Sequence, residues 1–141
     1  MEIRFVAGFS PIVDGTAAAH ALYRDALGID FPGGEGDYIF TESLPGVPHF
    51  GLWPLADAAR SCFGSDEWPD DVPVPQATIE FEVADVDVAA RELVDSGHRL
   101  LHEPKDEPWG QRIARLLSAD GLLVAVCQTP WLNVASTTDR D

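Results

Sequence analysis

The stretch Glu82-Val83-Ala84-Asp85-Val86-Asp87, running into Val88 to Ser96 and closed by Gly97, has a counterpart earlier in the chain. Ile12-Val13-Asp14-Gly15-Thr16 leads there into Ala17 to Leu27 and ends on Gly28. Each copy holds an apolar strand end, a polar residue able to accept from the free N–H groups of a helix start, an amphipathic helix, and a glycine suited to the left-handed closing turn. The copies stand about half the chain apart, which points to a duplicated unit. In the first helix Ala18, Leu22 and Ala26 recur at every fourth position, flanked by Ala19 and Tyr23, with Asp14 or Thr16 as cap. In the second, Val86, Ala89, Ala90, Leu93 and Val94 form the stripe, with Asp85 or Asp87 as cap.

Working outward, Arg4 to Val13 reads as a strand before the first helix. Ile29 to Phe31, Asp37 to Glu42 and His49 to Trp53 read as strands after it, and Gly33-Gly34-Glu35-Gly36 as a turn. Ala77 to Val83 alternates apolar and polar residues, the clearest strand signal in the chain. Arg99 to His102, Gln111 to Leu117 and Leu122 to Cys127 complete the second half, with Ala119-Asp120-Gly121 as a hairpin turn. Each half is strand, helix, strand, strand, strand. A helix between the first two strands permits a parallel crossover, and short turns make the other pairs antiparallel. Between the halves, 54–75 is a long loop in which Leu55 to Arg60 forms one helical turn. Its aromatic residues suggest partial packing.

The chain has 141 residues, enough for one domain with a real core, at 45% apolar and 23% charged. Nine Lys and Arg face 24 Asp and Glu, a formal charge of −15. That field opposes nucleic acid and anionic membranes and attracts cationic small molecules. No run of about 18 apolar residues is present to span a bilayer, and the start lacks a signal-like stretch, so a cytoplasmic location is expected. Two cysteines make no disulfide framework. Cys127 ends an apolar strand and reads as core, and Cys62 reads as a loop thiol.

The doubled pattern resembles the vicinal oxygen chelate superfamily: glyoxalase I, bleomycin and fosfomycin resistance proteins, and extradiol dioxygenases. Ala21-Leu22-Tyr23-Arg24-Asp25-Ala26-Leu27-Gly28 is similar to that group's first helix end. Glu107-Pro108-Trp109-Gly110-Gln111 with Ser118-Ala119-Asp120-Gly121 is similar to its last hairpin. The resemblance covers residues 4 to about 128. It implies an α+β fold of two βαβββ modules forming a cupped eight-stranded mixed sheet with helices on the outer face. The single domain would span 1–134 (modules about 1–53 and 76–134, linking loop 54–75), with a flexible tail at 135–141. It also implies a homodimer. Metal-using members carry one ligand on each of four cavity strands. Those positions fall here on Ala7, about Gly51, Thr78 and Ala125, which offer no suitable donors. No metal and no other cofactor is therefore expected.

Strand parity then gives the cavity lining. Thr78 brings Glu80 and Glu82 inward, Gly51 brings His49 and Trp53, and Ala7 brings Phe9. Trp109 stands at the mouth. Phe9, Trp53 and Trp109 would stack on a planar or cationic ligand, Glu80 and Glu82 would add negative charge, and His49 a donor or base. A small cupped sheet also needs large residues simply to fill it, so the aromatics read equally well as core. The functional expectation is a metal-free small-molecule-binding protein of the bleomycin-resistance type, sequestering a hydrophobic or cationic compound. The alternative is an enzyme (isomerase, lyase or dioxygenase) with a relocated metal at His49, Glu80 and Glu82, or a metal-free carboxylate base, with Glu80 and His49 as catalytic candidates.

Overall fold

Phe5–Val13 (β1) and Ala77–Glu82 (β5) run antiparallel at the centre of one eight-stranded sheet, so the two halves of the chain meet strand to strand. In the computed structural model, residues 1–133 are described; the tail expected at 135–141 lies outside them. From the centre the sheet extends through Phe50–Pro54 (β4), Tyr38–Thr41 (β3) and Gly33–Glu35 (β2) on one side. On the other it extends through Leu122–Gln128 (β8), Arg112–Leu117 (β7) and Lys105–Asp106 (β6). Each half contributes four strands, and the sheet is mixed, as the duplicated pattern requires.

The crossover does not pair the first two strands of a half. Instead β1 lies parallel to β4, and β5 parallel to β8. After its helix each half returns at the outer edge and winds back inward by hairpins, so its last strand meets its first. The outer strand of the first half is Gly33–Glu35, not Ile29 to Phe31, and it pairs antiparallel with β3. Gly34, at φ 128°, sits so close to Tyr38 and Ile39 that a Cβ there would meet backbone at 2.0 Å, which explains a glycine-rich edge.

In the second half the helix Val86–Asp95 (α3) follows expectation. Asp85 accepts from Val88 N–H at its start, and Gly97 turns at φ 95° beyond its end. Val86, Ala89 and Ala90 pack on Val83, Ala114 and Val126 of the outer sheet face, while Val94 is exposed. The first half departs. Thr16–Ala19 (α1) begins at Gly15 with no side-chain cap and continues as a π-helical stretch, His20–Ala26. The wider winding breaks the every-fourth-residue stacking. Ala18, Leu22 and Ala26 face outward, and Tyr23 turns to the sheet beside Phe50.

The expected long loop contains a third helix, Leu55–Phe63 (α2), nine residues rather than one turn, closed by Gly64 at φ 76°. It buries Ala58, Ala59 and Cys62, so Cys62 is a helix core residue and not a loop thiol. Burial pushes its thiol pKa up, away from reactivity. Trp68 anchors the following turn by donating to the carbonyls of Val72 and Pro73 and meeting Phe63 edge-on. Among the described residues no helix is long and apolar enough to cross a membrane.

Candidate functional site

The concave face encloses a cavity of about 1190 Å³. Its position follows from how unevenly that face is filled. Over the second half Ala7, Ile113, Ala125 and Cys127 pack together, with Phe5 and Leu132 against them, so that part is core. Beside it the inward residues of β3, β4, β1 and β5 remain open together with Gln111 and Arg115 of the second half, and α2 borders the opening with Asp57, Arg60 and Ser61.

His49, Trp53, Thr78, Glu80 and Trp109 all stand on the cavity wall. Phe9 and Glu82 do not. A β-bulge at Val6–Gly8 adds a residue to β1, so Ala7 and Ser10 share the cavity side while Phe9 turns to the other face. There Phe9 stacks on Phe50, which also meets Tyr23 and Phe31, making an aromatic pad beneath the first helical stretch. Glu82 keeps the expected parity but is fully buried. It accepts from Thr129 N–H and Asn133 Nδ2, each at 2.7 Å, and from Cys127 Sγ. It fastens the chain after β8 to the sheet. Thr78 is in the floor with its hydroxyl donated to the Leu123 carbonyl, so it offers the cavity little.

Two linked groups give the site its chemistry. In the first, Tyr38 Oη and His49 Nε2 are 2.7 Å apart, and His49 stacks on Phe40 at 4.8 Å. Burial raises the Tyr38 pKa, so the phenol keeps its proton. Burial also lowers the His49 pKa, outweighing the pull of Glu80 and Glu42, and favours a neutral imidazole accepting from Tyr38. In the second, Glu80 Oε1 accepts from Gln111 Nε2 at 2.9 Å, and Gln111 Oε1 accepts from Trp109 Nε1 at 3.0 Å. The half-exposed tryptophan at the mouth is thereby tied to the carboxylate inside.

Reasoning from sequence missed the side chain with the most unusual surroundings. Arg115 is completely buried in the cavity wall, 5.5 Å beneath the Trp53 ring centre, and paired with Glu107 at 3.3 Å. A lone cation in Ile113-Ala114-Arg115-Leu116-Leu117 was the available signal. Burial lowers the His102 pKa, and the neighbouring Arg115 and Lys105 lower it further.

The four strand positions that would hold an ion do not fit one. Ala7 and Ala125 have no donor, and the Thr78 hydroxyl is committed. At Gly51 a Cβ would approach Tyr38 at 3.0 Å and Phe40 at 3.1 Å, so a longer ligand side chain has no room. The relocated set fails on geometry as well, because Glu82 is turned into its own hydrogen-bond network. Among the described residues no three His, Cys, Asp or Glu side chains converge as ligands.

A pH dependence follows from the two histidines. Unfolded, each titrates near a pKa of about 6.5. Folded, both are lowered, so between the folded values and about 6.5 the unfolded chain holds more protons, and stability rises with pH. The contribution is complete above that window and is lost as pH falls through the folded values. Melting curves of the natural chain and a His49→Gln/His102→Gln variant should therefore converge between pH 7.5 and 5.5. Curves that stay parallel would contradict this.

A family profile described as a glyoxalase-like domain matches residues 65–129. No curated protein matches the chain by sequence. Among solved structures, a glyoxalase/bleomycin resistance protein/dioxygenase superfamily member from Vibrio splendidus is 16% identical, covering 91% of this chain and 100% of its own, with a TM-score of 0.57. A variant of the Streptomyces coelicolor methylmalonyl-CoA epimerase, bound to 2-nitronate-propionyl-CoA, is 19% identical over 92% of this chain and 99% of its own, with a TM-score of 0.58. The second half thus carries a glyoxalase-like match, and the chain as a whole shares its fold with these structures.

Proposed function

We propose that the chain is a metal-free small-molecule-binding protein that sequesters a planar, hydrophobic or cationic compound in its cupped sheet. The observation that carries this is the pairing of a cavity of about 1190 Å³, walled by Trp53, Phe40, His49 and Trp109, with strand positions that cannot hold an ion. Flat rings supply stacking area, and Glu80 accepts from a donor or cation on the ligand. The same reading expects a homodimer, to which the exposed Leu22 and Leu27 would contribute apolar surface. It also expects a cytoplasmic setting, which suits two free, buried cysteines.

Isothermal titration with 2-naphthalenemethanol and 2-naphthylmethylamine tests it. Saturable binding is expected, with the amine weakened about tenfold by Glu80→Gln and further by salt. No heat with any naphthalene compound would overturn the reading. So would a stoichiometric transition metal in the freshly purified protein.

One observation favours a second reading, a metal-free proton-transfer enzyme. Gln111 holds Oε1 of Glu80, while among the described residues no donor is bonded to Oε2, which suits a positioned base. The epimerase of the same fold suggests a probe. Deuterium entering C2 of methylmalonyl-CoA in D2O above the uncatalysed rate, and not with Glu80→Gln, would favour catalysis.

A further inference from the structure

Arg115 is a buried cation only partly matched by its surroundings. Its Nη1 donates to Glu107 Oε1 at 3.3 Å and lies 3.3 Å from His102 Nε2. Glu107 is shared, because Lys105 Nζ stands 3.2 Å from the same oxygen and Ser61 donates to the other. Two basic side chains thus lean on one carboxylate. The other groups packed around the guanidinium supply no second anion. His102 is kept neutral, burial keeps the Cys62 thiol protonated, and Trp53 offers only its ring face. Of the other acids that line the cavity, Glu35, Glu42, Asp57 and Glu80, Asp57 takes Arg60 at 2.9 Å and Glu80 takes Gln111.

The unmatched part is specific. Nε and Nη2 of Arg115 are buried and find no acceptor among the described residues. In the planar fork these two N–H groups share one edge, spaced for the two oxygens of a carboxylate. Leaving such donors unpaired in a low-dielectric setting is costly, and a buried cation without its full complement of anion is costlier. Arg115 is among the residues that line the cavity, so its unpartnered donors lie in the same wall as the aromatic side chains.

We infer that the Nε/Nη2 edge of Arg115 anchors a carboxylate on the molecule that occupies the cavity. The occupant is then an aromatic carboxylic acid, stacked on Trp53, with its oxygens on the guanidinium edge. This rests on the small-molecule-binding reading and narrows it. Glu80 lies two strands from Arg115, through Ala125, so roughly 10 Å separates the two backbones. A cationic or donor group on the far end of the same compound would meet Glu80.

The test compares 2-naphthoate with its methyl ester by isothermal titration. The whole-molecule charge of −15 disfavours the anion, so the protein's overall field works against the expected result. The acid should bind the natural chain at least tenfold more tightly than the ester. That ratio should fall to near one in Arg115→Met and recover only partly in Arg115→Lys, which keeps the charge without the two-pronged edge. If Arg115→Met does not fold, the acid-to-ester ratio in the natural chain and in Arg115→Lys decides. Equal binding of acid and ester would overturn the anchor while leaving the pocket reading intact. Failure of every naphthalene compound would overturn the pocket reading, and the anchor with it.

Discussion

Replacing Glu82 by alanine is expected to cost about 3 kcal/mol of folding stability, a fall of roughly 10 °C in melting temperature for a chain of this size. Three donors converge on this one carboxylate: Thr129 N–H and Asn133 Nδ2, each at 2.7 Å, and Cys127 Sγ. The carboxylate is fully buried, so its loss strands those donors where water does not readily replace the acceptor. Glutamine should cost less, about 1–2 kcal/mol, because its carbonyl still accepts while its NH2 faces a donor. Thr129 also accepts from Gln111, which holds Glu80, so loosening the turn after β8 should weaken naphthalene binding too. Urea unfolding of both variants checks this. Midpoints unchanged from the natural chain would show that Glu82 does not fasten that turn.

Glu82 also shows where sequence reasoning stops. Period-two alternation correctly sets its face of β5, but alternation does not say which part of that face is open. Filling is a long-range matter: Leu132, from beyond β8, packs against Ala7, Ile113, Ala125 and Cys127 and also borders the cavity. Local chemistry was legible in part where short-range rules govern, although neither Asp14 nor Thr16 caps the first helix. Asp85 caps α3, Gly97 and Gly28 take left-handed turns, and Gly121 closes the last hairpin at φ 88°. Parity failed at Phe9 because a bulge needs only one extra residue and leaves no mark in composition. The stripe of Ala18, Leu22 and Ala26 failed because it assumed α-winding where the chain winds more widely. His49, Trp53 and Glu80 could be placed because Gly51 and Thr78 sit in unbroken strands, so counting by twos carries. Tyr38 and Gln111 became part of the site only through partners far away in sequence. Arg115 is the same case in sharper form: a lone basic residue in an apolar run signals burial, but its unpaired edge appears only once Glu107, His102 and Trp53 are in place.

Trp53→Ala should be the most damaging single change to ligand binding, weakening 2-naphthoate by roughly 30-fold, or about 2 kcal/mol. Two losses combine. The indole is a flat part of the cavity wall beside Arg115, so truncation removes the stacking surface itself. The ring also lies over the guanidinium at 5.5 Å, and that contact contributes about 1 kcal/mol in a partly desolvated setting. Without it, water reaches Arg115 and weakens the field that a carboxylate would feel. Trp53→Phe keeps a ring in place and should recover most of the affinity. Trp68→Phe serves as the control, because Trp68 packs on Phe63 away from the cavity. Calorimetry suits the comparison, since removing a tryptophan alters the fluorescence baseline. The stacking role makes a further demand: the methyl ester, which lacks the anionic handle, should lose nearly as much affinity in Trp53→Ala as the acid does. If the ester is indifferent to Trp53 while the acid is not, the indole acts by shielding Arg115 rather than by holding the aromatic ring. Natural affinity for both compounds in Trp53→Ala would remove Trp53 from the site altogether.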